Sequence, residues 1–348
     1  VHGTIYEFEP LGGGYGRGDA SHAVTRYVPQ GRAVPLVGIV RNPRSHRNVG
    51  SPAELADCSN ILTETPHSRE ALSDSLREFA ERGIDYLAID GGDGTVRDVL
   101  TCGAPIFGDN WPSLIVLPKG KTNALAVDLG LPNHWSLAEA LVAARQGEVV
   151  LRRPMRITAK GEEDRGAGVL GFFLGSGVFT IGTEAGQAAH RRGAFNSFAV
   201  GLTIAWCILQ IVFGKAGNTW RSSTRMRLRN LVSGRELPRR GPGAPDERFM
   251  AIATTFEKFP LGLRPFGPNP PAGLKLAVLD APVRWLLLML PVMLLGLLPR
   301  FMQRAGAHRV ATGPIDFDLG GAFILDGEAF PAGHYVLQEG PTLTFVVP

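Results

Sequence analysis

Ile84-Asp85-Tyr86-Leu87-Ala88-Ile89-Asp90-Gly91-Gly92-Asp93-Gly94-Thr95 decides the fold. Ile84 to Ile89 reads as a buried strand, and it runs directly into a turn with three glycines. Val96, Val99 and Leu100 then recur at helical spacing. A strand that ends in a glycine turn and opens a helix is one unit of an α/β sheet, and open α/β sheets bind ligands at that edge. Glycine allows backbone conformations closed to other residues, so amide N–H groups can approach a ligand without an intervening Cβ. With the helix N-terminus they make an anion site over Gly91, Gly92, Gly94 and Thr95. Asp93 is then a carboxylate beside phosphate, suited to organising Mg2+ or accepting a proton. The loop lacks the Gly-Lys-Ser/Thr ending of a Walker motif; an ordinary glycine-rich turn is the plain alternative.

The flanks repeat the unit. Leu36 to Val40 reads as a strand, and Ser68 to Arg82 as a helix stopped by Gly83. Ser113 to Leu117 is a third strand, and Ser136 with Glu139 has the spacing of a capping box, opening a helix that ends near Gly147. This alternation predicts a parallel sheet covered on both faces, in an α/β nucleotide-binding domain over 34–150. The third strand delivers Pro118-Lys119-Gly120-Lys121-Thr122-Asn123, a second glycine turn before a helix, with Lys121, Thr122 and Asn123 as donors. Two phosphate-grade loops at one sheet edge argue for a nucleotide.

From Leu151 the signals become short strands: Arg153 to Ala159, Val169 to Leu174, Thr224 to Leu231, Phe249 to Thr255, Leu274 to Leu279, Ala322 to Leu325 and Leu343 to Val347. They predict a mainly β domain over 151–348, interrupted by apolar helices at Phe198 to Phe213 and Trp285 to Leu298. Residues 1–33, rich in glycine, read as a tail without the basic start and apolar core of a secretory signal. A charged fraction of 20% and a hydrophobic fraction of 44% exclude a wholly disordered chain. The three cysteines are odd in number and far apart, which supports neither a disulfide framework nor a zinc cluster and fits a reducing, cytoplasmic setting.

Gly91-Gly92-Asp93-Gly94-Thr95 with Pro118-x-Gly120-x-x-Asn123 resembles the catalytic domain shared by diacylglycerol kinases, sphingosine and ceramide kinases and their bacterial relatives. Asn42-Pro43-Arg44-Ser45 and Asp326-Gly327-Glu328 fit the same pattern. The resemblance implies a fold like that of NAD kinases and diacylglycerol kinases, with ATP and Mg2+ as cofactors. It implies that Asn42 and Ser45 approach the nucleotide, that Gly91 to Thr95 cradle phosphate, and that Gly120 to Asn123 complete the site. It also implies that Asp326 and Glu328 return to the cleft for metal binding or proton abstraction beside Asp93, and that the last strand belongs with the first domain. Asp93 is the first choice of base and Glu328 the second. The chain departs from the pattern at His46, at Lys121-Thr122 and at Ala124, positions that bear on lipid identity more than on phosphoryl transfer.

Thr219 to Arg240 carries seven arginines against Glu236. Alternation in Arg225-Met226-Arg227-Leu228-Arg229 puts the arginines on one sheet face, where anionic lipid headgroups would attract them. Trp285 to Pro299 has no charge and fifteen residues, short of the ~20 that span a bilayer. Trp285 and Leu288 are therefore expected at a membrane interface, or walling an acyl-chain channel, with flanking arginines reaching headgroups; packing in the core is the alternative. No nucleic-acid motif is present. The expected protein is a peripheral, cytoplasmic kinase of a membrane-lipid hydroxyl. A soluble kinase resembling NAD kinases and an inactive membrane-binding scaffold are the alternatives.

Overall fold

Local signals fix the helices of the first half. In the computed structural model, which describes residues 32–55, 57–163, 168–182, 218–259, 262–270 and 272–348, Ser68 caps α1 (Arg69–Arg82) by accepting from the Ala71 amide, and Gly83 ends it at φ 62°. Ser136 and Glu139 form the capping box of α4 (Leu137–Gln146). Between these helices lie β3 (Tyr86–Gly91), α2 (Asp93–Phe107), β4 (Ser113–Pro118) and α3 (Ala124–Leu129); before α1 come β1 (Val37–Arg41) and β2 (Ile61–Glu64), and after α4 comes β5 (Val149–Arg152).

The second half adds β6 (Met155–Ala159), β7 (Val169–Gly171), β8 (Phe173–Gly177), β9 (Thr224–Asn230), β10 (Glu247–Arg248), β11 (Met250–Thr254) and β12 (Lys275–Leu279). Three short helices follow, α5 (Arg284–Leu288), α6 (Leu290–Leu294) and α7 (Arg300–Arg304). The chain then forms β13 (Ala307–Ala311), β14 (Ile315–Leu319), β15 (Phe323–Leu325), β16 (Glu328–Phe330), β17 (Gly333–Glu339) and β18 (Leu343–Val346).

The first sheet has the order β2-β1-β3-β4-β18-β5. Its first five strands are parallel, but β5 runs antiparallel to β18, so the sheet is mixed rather than purely parallel as expected. The cause is topological: β18 inserts between β4 and β5, and the chain-end strand meets β5 in the opposite sense. The sheet edge that presents the glycine turns is unaffected, because β1, β3 and β4 point the same way.

Two antiparallel sheets, β10-β9-β14-β17-β6-β7 and β13-β12-β11-β8-β15-β16, make up the rest. Met226, Leu228, Phe317 and Leu337 of one share a buried cluster with Leu174, Ala253, Val278 and Phe323 of the other, the packing of a β-sandwich. Leu170, Phe172 and Phe256 instead join the core of the first sheet, which ties the two halves together.

The apolar stretch Trp285 to Leu298 is not one helix. Met289 caps both α5 and α6, and Pro291 falls in the first turn of α6, where it has no amide to donate. The Arg309 guanidinium donates to the Gly296 carbonyl, fastening this segment to β13. No helix among the described residues is long and apolar enough to cross a membrane. Residues 1–31 and the stretch Phe198 to Phe213 lie outside the described residues.

Candidate active site

The ends of β1, β3 and β4 meet in a hydrogen-bonded junction. Arg41 and Asp90 are register partners on β1 and β3, and their side chains pair at 2.8 Å although both are buried. Asn48 donates to the Asp90 carboxylate and carbonyl and to the Asn42 carbonyl. Burial pushes the Asp90 carboxyl up, against the pull of Asn48 and Arg41. This brace holds the loop after β1 against the glycine turn. Sequence reasoning missed it, although opposite charges at the ends of adjacent apolar strands are a usable signal.

Asn42 lies in the brace, accepting from the Arg44 amide and donating to Thr95 Oγ1 at 2.9 Å. Asn42 and Thr95 therefore pin the first loop to α2 from buried positions. Ser45 is buried too, and its hydroxyl has no hydrogen-bond partner among the described residues.

The glycines serve loop packing more than expected. A Cβ on Gly91 would lie 2.4 Å from Thr95 Oγ1. One on Gly92 would lie 3.0 Å from the Gly120 Cα, and one on Gly120 would lie 2.7 Å from the Gly92 Cα. The two turns touch backbone to backbone. Gly94 is buried in the first turn of α2. Asn123, at φ 48°, clamps the second turn by accepting from the Gly120 amide and donating to the Gly120 carbonyl. Lys121 and Thr122 project from this turn and are exposed. Lys119 pairs instead with Glu54 at 2.8 Å.

Asp93 joins the two turns. Its carboxylate accepts from the Ala124 amide at 3.0 Å and the Leu125 amide at 3.1 Å, the first residues of α3. Burial pushes its carboxyl up, and these amides offset part of the rise.

The β15–β16 hairpin of the sandwich supplies the other acids. Asp326 and Gly327 both have positive φ, 45° and 86°, and form its two-residue turn. The Asp326 carboxylate accepts from the Phe172 and Phe173 amides, both at 2.9 Å. Gly171 permits this approach, since a Cβ there would lie 2.6 Å from Asp326 Oδ2. Burial and then the Asp93 charge push the Asp326 carboxyl up to about 7. Glu328 begins β16, half-buried. Arg97, one turn beyond Asp93 on α2, is wholly buried; it pairs with Asp98 at 2.8 Å and donates to the Leu325 carbonyl. Burial opposes its charge, and Asp98, Glu328 and Asp326 together outweigh that effect. Sequence reasoning did not single out Arg97, because the hairpin carbonyl it meets lies more than 200 positions away.

The structure thus brings Asp93, Asp326 and the two glycine turns to one place. Asp93 lies close enough for its charge to raise Asp326, and two such carboxylates suit a cation. Among the described residues no group of three or more His, Cys, Asp or Glu side chains could hold a metal ion. That donor set fits Mg2+ carried by a nucleotide, which takes one or two carboxylates with phosphate oxygens and water. The orphan Ser45 hydroxyl and the exposed Lys121 and Thr122 fit a phosphate-bearing ligand.

The arginine strand corrects an expectation. Arg225, Arg227 and Arg229 are exposed and alternate with buried Met226 and Leu228, as read, yet their face is not a bare cationic patch. Arg225 pairs with Asp318, Arg227 with Glu236 and Arg229 with Asp316. The acids come mainly from β14, which the sequence does not announce as the neighbour of β9. Asp316 also accepts from Lys160 and His334. Burial alone would raise its carboxyl, but these hydrogen bonds hold it at about 2. A depressed folded value means stability that is present above the unfolded carboxylate range and lost as pH falls toward 2. Asp316→Asn is expected to remove about 1 kcal/mol of this acid-labile stability, after allowance for its half-exposed partners. Urea midpoints at pH 5 and pH 2.5 check it: the wild-type drop should exceed that of the variant, and equal drops would contradict the assignment.

Trp285 and Leu288 are exposed, 42% and 54%, on α5 and remote in sequence from the acids. The Phe301 ring lies 5.8 Å from that of Trp285, and Leu295, Leu297, Phe301, Arg284, Arg300 and Arg304 are exposed as well.

Comparison with known proteins agrees with this geometry. Residues 42–153 match the family model for the diacylglycerol kinase catalytic domain. A diacylglycerol kinase of Bacillus subtilis (strain 168) is 45% identical over 110 residues, which cover 29% of this chain and 35% of that protein. Lipid kinase YegS of Escherichia coli (strain K12) is 33% identical over 75 residues, 22% of this chain and 24% of that protein. The matched stretch thus spans about a third or less of these relatives. A crystal structure of a diacylglycerol kinase from Bacillus anthracis str. Sterne superposes with a TM-score of 0.61 at 15% identity, covering 91% of this chain and 98% of that one, which shows the fold. Over residues 42–153, this chain is similar to the catalytic domain of the diacylglycerol kinase family.

Proposed function

We propose that the protein transfers the γ-phosphoryl group of ATP to the hydroxyl of a membrane lipid of diacylglycerol, ceramide or sphingoid-base type. The observation that carries this reading is the meeting of Asp93, from the glycine turn of one half, with Asp326, from a hairpin of the other. Residues 34–150 serve as the nucleotide-binding part and 151–348 as the lipid-binding part, with β18 returning to the first. Asn42, Ser45, Gly91 to Thr95 and Gly120 to Asn123 line the nucleotide site. Lys121 offsets phosphate charge, and Ser45 supplies a hydroxyl donor. Asp93, Asp326 and Glu328 would hold the Mg2+ that accompanies ATP; when bound, that ion would neutralise charge on the phosphate oxygens.

Phosphoryl transfer depends mainly on position and charge neutralisation. The lipid oxygen forms its bond to the γ-phosphorus, the bond to the bridging oxygen breaks, and that electron pair leaves with ADP. Asp93 orients the hydroxyl and takes its proton late in the step. A free Asp, near pKa ~3.9, is a weak base; the upward push of burial on Asp93 brings it closer to the task. Glu328 is the second candidate.

The lipid side is proposed to dock through the apolar surface at Trp285 and Leu288, in peripheral association with an anionic bilayer. Leu288→Asp is expected to weaken binding to anionic vesicles about tenfold, whereas Arg227→Gln, which removes an already paired charge, changes it less than twofold. Vesicle sedimentation checks both, and the reverse order would move the docking surface to β9. Incubation with ATP and separate samples of diacylglycerol, ceramide, sphingosine and NAD, with products identified by mass, tests the reaction. One phosphorylated lipid is expected. Phosphorylated NAD alone, or no product from any acceptor, would overturn the reading.

A further inference from the structure

A cavity lies between α3 and the segment that follows β11, with none of the acids Asp93, Asp326 and Glu328 in its lining. It measures about 360 Å³, within the range of small-molecule sites, and Val127, Lys258, Phe259, Arg264, Phe266 and Pro268 are among its lining residues. Its floor is aromatic: Phe266 is buried, with its ring 5.6 Å from that of Phe259. Its rim is cationic. Lys258 and Arg264 are exposed, and neither side chain has a hydrogen-bonding or ionic partner among the described residues. The acid at the rim, Glu257, is engaged by Arg152 at 3.1 Å. Arg225, Arg227 and Arg229 all have acidic partners, so two unmatched cations above an apolar floor call for an anion with a hydrophobic body.

The cavity also adjoins the exposed apolar surface. The Arg264 amide donates to the Leu294 carbonyl at 2.7 Å, and a Cβ on Gly296 would lie 3.3 Å from the Arg264 Cβ. Leu294, Leu295 and Leu297 are exposed beside this junction. A lipid leaving a bilayer that rests on those leucines would reach the cavity without crossing open water.

We propose that this cavity binds a phosphate-bearing diacyl lipid, with its phosphate between Lys258 and Arg264 and the start of an acyl chain over Phe259 and Phe266. Its lining shares no residue with the proposed transfer site, and its occupancy is read by binding rather than turnover, so it stands or falls independently of the kinase reading. Calorimetric titration of the full chain with dioctanoyl phosphatidate, below its micelle concentration, tests it against Lys258→Gln/Arg264→Gln. Both substitutions are on exposed side chains, and the Lys258 amide that caps Asp128 is retained. The double variant is expected to bind at least tenfold more weakly, with dioctanoylglycerol unaffected by the change. A matching loss for dioctanoyl phosphatidylglycerol would identify a bilayer lipid as the source, and a loss confined to phosphatidate a phosphomonoester lipid; both support the site. Unchanged phosphatidate affinity in the double variant would overturn it, as would inorganic phosphate binding as tightly as phosphatidate.

Discussion

Asp93→Asn is expected to lower kcat for lipid phosphorylation by at least about 10²-fold, the scale of losing a positioned general base, while the protein stays folded. The side chain has two duties. It accepts from the Ala124 and Leu125 amides and so fixes α3 to the glycine turn. It is also the carboxylate whose charge helps to raise Asp326. Asparagine keeps one oxygen for the amides, so the stability loss should be about 1 kcal/mol, similar to a lost helix cap. The charge disappears entirely. Steady-state kinetics beside a thermal melt separate the two effects: a small fall in Tm with collapsed kcat is the expected pair. Near-wild-type kcat would remove Asp93 from the chemistry and leave it a structural cap.

Gly120→Ala should be nearly as damaging for a different reason. The added methyl would lie 2.7 Å from the Gly92 Cα and 2.7 Å from Asn123 Oδ1. The nearest obstacle is backbone of the opposite turn, which cannot rotate away as a long side chain can. Either the turns part or the Asn123 clamp opens, at about 1–3 kcal/mol for such overpacking. Because both turns are proposed to line the nucleotide site, KM for ATP should rise at least about tenfold, with the lipid KM changed less. Gly147→Ala, at the end of α4, is a useful contrast: its cost comes from a φ of 80° with open space around the site, so only stability should fall. If Gly120→Ala leaves KM for ATP unchanged, contact between the turns is irrelevant to nucleotide binding.

Features decided by neighbours in sequence were legible. Ser68, Gly83, Ser136 and Glu139 act within one turn of the helices they bound, and the structure uses each as its position suggests. What the chain concealed was partnership across long separations. Nothing around Leu343 says that β18 will lie between β4 and β5 and make the first sheet mixed. Nothing near Arg229 says that Asp316, 87 positions away, will neutralise it. The apolar run from Trp285 concealed a break of the opposite kind: Pro291 was visible, but the carbonyls offered to Arg309, which help to fix the short helices against β13, were not.

The candidate site divides along the same line. Gly91 to Thr95 and Gly120 to Asn123 stood out because strand-end glycine turns have a composition of their own. Their reason for being glycine was partly misjudged, since the closest approach is between the turns themselves. Arg97, Asp90 and Asn48 went unnoticed because a buried charge on an apolar helix or strand acquires meaning only from the acid or amide it meets.

The most direct measurement follows the phosphoryl group itself. ATP carrying 18O in its γ-phosphoryl group is incubated with the protein, Mg2+ and diacylglycerol, ceramide and sphingosine in anionic vesicles, and the lipids are examined by mass spectrometry. The expected product is a phosphorylated lipid that keeps the three labelled non-bridging oxygens and its own unlabelled hydroxyl oxygen, formed by the wild type and at least about 10²-fold more slowly by Asp93→Asn. Labelled inorganic phosphate with unmodified lipid, or equal lipid labelling by both proteins, would contradict it.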